Sequence, residues 1–237
     1  MIQTEGIFVG GSAISAPIIG EDFNWSGGDG TYQVLDDGGG NWRIKFLSSG
    51  TFTPLKNMVI DVFLVGGGGG AGSSYCGEGG AGYTTTVRSV VLTANTAYSI
   101  VVGAAGTNGN PSSAGGETTA FTASAAGGKN TSNGTSSSKR PGGAGGSGGA
   151  GYVSPVATTT GGTDGGDGTS SATTGGKGQG TTTREFGEAD GDLYASGGGS
   201  NLSATVANSG NGGRNGITSI APADGIVVIR QHKEVAA

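Results

Sequence analysis

Residues able to do chemistry are few in this chain, and their spacing is poor for it. The one histidine, His232, lies beyond the last strand-like run, so a histidine triad or metal site has nothing to assemble around. The one cysteine, Cys76, follows Tyr75 in a glycine loop without a histidine or basic neighbour. Nothing there would lower its pKa, so it reads as an inert thiol, and alone it closes no internal disulfide. Lys177 stands in Gly175-Gly176-Lys177-Gly178 but lacks the spacing and the Ser/Thr of a phosphate-cradling loop. Asp164 and Asp167 stand in a glycine/aspartate stretch, residues 161–168, whose register reverses that of calcium-binding repeats. They are read as turn residues, with calcium the alternative. Glu188, Asp190 and Asp192 crowd one loop. A glycosidase would need two carboxylates at a fixed gap beside a sugar cleft; the other reading is loop solubility. No catalytic residue, cofactor or metal is expected, and the chain does not read as an enzyme.

Aromatic residues offer a different chemistry. Tyr75, Tyr152, Phe186 and Tyr194 are scattered among Gly, Ser, Thr and Asn. Aromatics in such company make adhesive surfaces, with a large contact area and few rotors to freeze. Residues 73–78, 151–163 and 188–195 are expected to form a contact surface carrying Tyr75, Tyr152, Tyr194, Glu188 and Asp190. The competing reading is that the aromatics plug the ends of a packed bundle, and Phe186 is expected to be buried.

Strands must position these loops. Residues 31–35 and 41–47 flank the turn signal Asp36-Asp37-Gly38-Gly39-Gly40. Trp42, Ile44 and Phe46 alternate with Arg43 and Lys45, the period of a half-buried strand. Further strands are expected at 51–53, 58–65, within 83–102, at 118–122 and at 225–230. The run at 58–65 is apolar apart from Asp61 and reads as a central strand. The run at 226 needs partners, and the best ones precede residue 123. The glycine-rich chain between is therefore expected to be inserted within one sandwich.

Glycine accounts for 55 of 237 residues, roughly three times its usual share of about 7%. Each costs about 0.5–1 kcal/mol relative to alanine unless the fold needs it. Residues 142–151 repeat Gly-Gly-X with period three, and Gly103/Gly106/Gly109, Gly162/Gly165/Gly168 and Gly210/Gly213/Gly216 keep that spacing. Three residues per turn is the period of a polyproline-II-type helix, which has no internal hydrogen bonds and must bond to its neighbours. Packed glycine helices are expected, with flexible linkers as the alternative. The 6 prolines exclude collagen. With 12 basic and 17 acidic residues the chain lacks the basic stripe that nucleic acid requires. Neither a signal peptide nor a membrane-inserting segment is read in it.

The order of these blocks resembles a known family. Val62-Phe63-Leu64-Val65 before Gly66–Gly70, Gly79-Gly80-Ala81-Gly82-Tyr83-Thr84, Tyr98-Ser99-Ile100-Val101-Val102-Gly103, and Gly225-Ile226-Val227-Val228-Ile229-Arg230 together resemble the glycine-rich domain of bacteriophage tail proteins. So does the stretch 178–188. The likeness spans about residues 30–230, and residues 201–208 depart from it by carrying few glycines. It implies an all-β fold, a jelly-roll-like β-sandwich with an inserted bundle of polyglycine II helices, divided as 31–230, with an N-terminal attachment or oligomerisation segment at 1–30 and a tail at 231–237. It implies a tail-fibre or tail-tip adhesin located in the virion tail, extracellular after lysis. Its partners would be a host-cell surface glycan or protein, other virion tail proteins and a second copy of the chain. The alternative is a structural virion or filament component without receptor specificity.

Overall fold

Alternating residues in Asn41–Phe46 and apolar runs in Met58–Val65 and Ile226–Gln231 build strands where the sequence puts them. The computed structural model describes residues 22–38, 41–135, 138–152, 159–170, 173–215 and 219–231. Two antiparallel five-stranded sheets form a β-sandwich. One sheet has the order β1 (Phe23–Trp25), β4 (Gly50–Pro54), β7 (Tyr98–Val101), β8 (Thr118–Ala120) and β9 (Ala123–Ala125). The other has the order β2 (Tyr32–Gly38), β3 (Asn41–Phe46), β10 (Ile226–Gln231), β5 (Met58–Val65) and β6 (Thr84–Leu92). β10 sits between β3 and β5, with Val228 opposite both Lys45 and Phe63. The last strand is therefore central, and the glycine-rich chain is an insertion.

The sandwich begins before residue 31. β1 pairs with β4, and Phe23 is buried in the core beside Phe52. Three-residue strands in glycine and serine surroundings, β1 and β9, carry too little periodicity to be read from sequence. Residues 1–21 and 232–237 lie outside the described residues, so most of the two terminal segments, and His232, do too.

Between the sheets, Ile44 and Phe46 of β3, Ile60, Val62 and Leu64 of β5, and Val227 and Ile229 of β10 meet Phe52, Ile100 and Phe121. The outer face of the β10 sheet is covered as well. Phe63, Val65, Ile226 and Val228 point there and bury Phe186, Tyr194 and Ala195. A strap of chain, residues 183–195, lies across them. Strands covered on both faces read as continuous apolar runs, which is the character of 58–65.

The glycine chain leaves one end of the sandwich three times. Residues 66–83 join β5 to β6, 102–117 join β7 to β8, and 126–225 join β9 to β10. Gly66, Gly67 and Gly68 donate hydrogen bonds to three different stretches, at Tyr83, Gly116 and Ala223. The next turn repeats the choice: Gly69 donates to Gly80, and Gly70 to Ser113. Their carbonyls accept from further stretches: Gly67 from Gly128, Gly68 from Gly106, Gly69 from Gly213 and Gly70 from Thr131. Bonding thus rotates with period three, and residues 66–71 are buried among backbones. A β-carbon at Gly66, Gly67 or Gly68 would overlap the carbonyl oxygens of Ala126, Ala104 and Asn211 respectively.

Not every period-three glycine continues such a run. Gly109, Gly165 and Gly210 have φ of 130°, 84° and 66°, leaving the extended backbone, and Gly216 is outside the described residues.

Candidate binding surface

The sandwich has two poles. The chain enters β1 at Phe23, opposite Pro54, and leaves β10 at Gln231, opposite Ile60. Phe23 and Gln231 therefore both lie at the pole where β5 starts, here the base. The glycine layer rises from the other pole, where β5 ends.

Tyr75 and Tyr152 meet in the turns of that layer, with ring centroids 5.6 Å apart and planes inclined at 44°. They come from distant stretches joined by a third. Arg140 N–H donates to Tyr75 O (3.2 Å), and Tyr152 N–H donates to Arg140 O (3.3 Å). Thr173 and Ser170 hydroxyls add bonds to the carbonyls of Arg140 and Tyr152. Asn133 Oδ1 accepts from Ser73 N–H (2.6 Å) and Ser74 N–H (3.4 Å), holding the Tyr75 turn. Tyr75 itself has φ 45°. A bulky residue in that region costs about 1–3 kcal/mol and persists only where its surroundings enforce it. Tyr75 is 43% exposed, and Lys139 Nζ stands 5.6 Å from the Tyr152 ring centre. Residues 153–158 of the expected loop 151–163 fall outside the described residues.

Tyr194 does not join this surface. It is buried, its ring 5.6 Å from Phe63, and its hydroxyl donates to Glu185 (3.3 Å) and accepts from Lys45 (2.9 Å). The small polar residues around it form the strap, which closes over an apolar sheet face. Phe186 is buried beneath the same strap, with Arg230 4.1 Å above its ring.

Glu188 and Asp190 lie on that strap. Glu188 takes both guanidinium nitrogens of Arg230, at 2.8 and 2.7 Å. Arg230 and Arg88 also reach the fully buried Asp61, at 3.2 and 3.1 Å. Glu185, equally buried, binds Arg43 at 2.5 Å and Lys45 at 3.3 Å. Burial works against the charge on Lys45, and its bonds to Asp192 and Tyr194 outweigh that, so its pKa is raised. Asp192 is correspondingly held low by Lys45. These charges fasten the strap to β3, β5, β6 and β10. Asp190 lines a cleft of about 170 Å³ with Asp37, Arg43, Glu185, Phe186, Glu188, Gly191 and Arg230. Ligand pockets usually exceed about 300 Å³, and the carboxylates that matter here are committed to cations. The sequence signals for this network were charges inside predicted strands: Asp61 in an apolar run, and Arg230 ending another.

The other chemically suggestive residues have structural partners. Asp164 accepts from the Thr182 hydroxyl and from Thr183 N–H, which with Arg184 hold its carboxyl below the usual range. Asp167 pairs with Lys177 at 2.6 Å. Among the described residues no group of acids, histidines or cysteines is placed to hold a metal ion. Cys76 donates to Gly72 O, and burial pushes its thiol up to about 11, which disfavours the thiolate. Sequence reasoning passed over Glu78. It stands half-buried in the glycine layer, accepting from Asn215 N–H at 2.6 Å, and burial raises its carboxyl to about 7.

A family model described as a glycine-rich domain matches residues 47–230. The chain belongs to that family. No curated protein matches it.

Proposed function

We propose that this member of the glycine-rich domain family is an adhesin of a bacteriophage tail fibre or tail tip, holding a tyrosine-bearing tip away from an attachment base. One observation carries the reading. The chain enters the sandwich at Phe23 and leaves it at Gln231, both at the base, while Tyr75 and Tyr152 meet in the turns of the layer that rises from the opposite pole. A protein fixed at one pole to other virion tail proteins, or to a second copy of itself, would present the other pole to a host cell. The phage-tail resemblance of 62–66, 98–103 and 225–230 supports the same assignment, and with it a place in the virion tail.

The layer rising from the pole opposite the base is read as polyglycine II packing. Support comes from consecutive N–H groups that turn to three neighbours and repeat every third residue. A tip bonded into such a layer loses little freedom on binding, and many copies on one virion would add avidity. Leu55, Val59 and Val91 are exposed towards the base, which suits attachment there.

The test replaces Tyr75 and Tyr152 with alanine and measures adsorption of folded protein to host cells. Loss of adsorption is expected. Unchanged adsorption with the fold intact would remove the tip as the contact surface, and wild-type protein that adsorbs to no host would favour a purely structural virion component.

A further inference from the structure

We infer that the tip binds an acidic glycan, with Lys139 and Arg140 meeting its carboxylate or phosphate groups beside the Tyr75 ring. The inference rests on the adhesin reading and adds a ligand class to it.

Charge placement carries the argument. The chain has a net charge of −5, and its cations mostly face carboxylates. Arg43, Lys45, Lys56, Arg88, Lys177, Arg184 and Arg230 all form ion pairs. Among the described residues Lys129, Arg214, Lys139 and Arg140 form none, and the last two belong to the tip. They are adjacent and exposed, and the backbone of Arg140 is the link between Tyr75 and Tyr152. Glu78, the nearest acid in sequence to Tyr75, is turned to Asn215 N–H. An acidic protein thus carries two cations without an ion pair among the described residues beside the Tyr75–Tyr152 pair.

The pieces match the faces of an acidic sugar. A pyranose ring has an apolar C–H face that packs on an aromatic ring, and Tyr75 is 43% exposed. Lys139 already lies over Tyr152, so its ammonium is held near the pair. A guanidinium suits planar, bidentate contact with a carboxylate or phosphate. The exposed Ser74 of this tip suits a sugar hydroxyl. Neutral glycans would use the ring and hydroxyls but leave the cations unmatched.

The experiment applies purified full-length chain to an array of bacterial surface glycans bearing uronate, sialate or phosphate. Each is paired with its carboxyl-reduced or dephosphorylated form. Binding to at least one acidic glycan is expected, lost in its neutral counterpart and weakened by salt. Lys139→Gln and Arg140→Gln should each weaken that binding roughly three- to tenfold with little change in melting temperature, since the one side-chain bond either makes to this segment's backbone, Arg140 Nε to Asn133 O, is long at 3.4 Å. Equal binding to neutral counterparts, no binding to any acidic glycan, or an unaffected double variant would overturn the inference. The same variants are tested for adsorption to host cells. If Tyr75→Ala abolishes adsorption while K139Q/R140Q leaves it intact, the adhesin reading stands and the acidic ligand falls. If none of them alters adsorption, both fall.

Discussion

The sandwich and the glycine layer fill their interiors by opposite means. Between the sheets, Phe46, Phe52, Ile60 and Ile229 exclude water with side chains, while backbone groups pair sideways in ladders. In the layer, residues 66–71 are just as buried, yet only Ala71 carries a side chain beyond hydrogen. There the backbone itself is the filling, and its N–H and C=O groups point in turn to surrounding stretches. The sandwich gains from apolar area removed from water, about 25 cal/mol per Å². The layer gains about 1 kcal/mol net per hydrogen bond, together with close contact between backbones. Against this stands the large backbone entropy of glycine. A chain can therefore be 33% hydrophobic and still have a packed interior far from its apolar core.

The comparison breaks if both regions respond alike to the same kind of substitution. The largest effect is expected from Gly68→Val or Gly148→Val. Each β-carbon would strike a carbonyl, of Asn211 and Gly176 respectively, with neighbours on every side preventing retreat. Overpacking costs about 1–3 kcal/mol in ordinary cores, and these variants should fall at or beyond the upper end. Gly166→Ala is the control. It is exposed, and its β-carbon would meet only Thr163 O, at 3.1 Å. Melting temperatures of Gly68→Val and Gly148→Val that match the control would show the layer to be a loose linker. The sandwich should show the converse, sensitivity to lost volume. Phe46→Ala leaves a cavity against Trp25 and Phe52 and should cost about 3–5 kcal/mol in denaturant unfolding. A cost below about 1 kcal/mol would mean that Phe46 does not hold the sheets together.

The two regions also differed in how far they could be read. Strand patterns are side-chain signals, so β3 and β7 stood out by alternation and β5 and β10 as apolar runs, with Trp42, Ile44 and Phe46 facing the core side of β3 as expected. The layer has almost no side chains to alternate. Period three was visible in it, but Gly165, which fits the spacing, sits in a turn with positive φ. What lies on top of a strand was the hardest to see. Arg43 and Lys45 read as the wet face of β3, whereas the strap from 183 to 195 covers them and pairs them with Glu185 and Asp192. Tyr194 was assigned to the surface for the same reason. Its neighbours are small and polar, and only the run of β5, apolar apart from Asp61, hinted that a second cover was needed. At the tip, Tyr75 and Tyr152 could be singled out by type. Their meeting depends on bonds through Arg140 that no local pattern encodes.

The smallest effect tests how the layer treats a charge. Glu78 sits among glycines, where few groups can answer a carboxylate: Asn215 N–H donates to it, and Arg214 lies near. Burial outweighs both, raising its pKa from 4.5 to about 7. The sign follows from proton binding. Between pH 4.5 and 7 the folded chain holds a proton on Glu78 that the unfolded chain has released. Stability from this residue is therefore full below about pH 4.5 and is lost as pH rises through about 7. Glu78→Gln keeps an acceptor for Asn215 N–H and removes the titration. Taking the difference between wild type and variant cancels every other group that titrates in the window. The variant should gain on wild type by ~1–2 kcal/mol between pH 4.5 and 8, an amount reduced from the full shift because the side chain is only half-buried. The measurement is urea unfolding of both proteins at half-unit pH steps. Parallel stability profiles across the window would mean that water reaches Glu78 freely, and that the layer around it is more open than its backbone bonding implies.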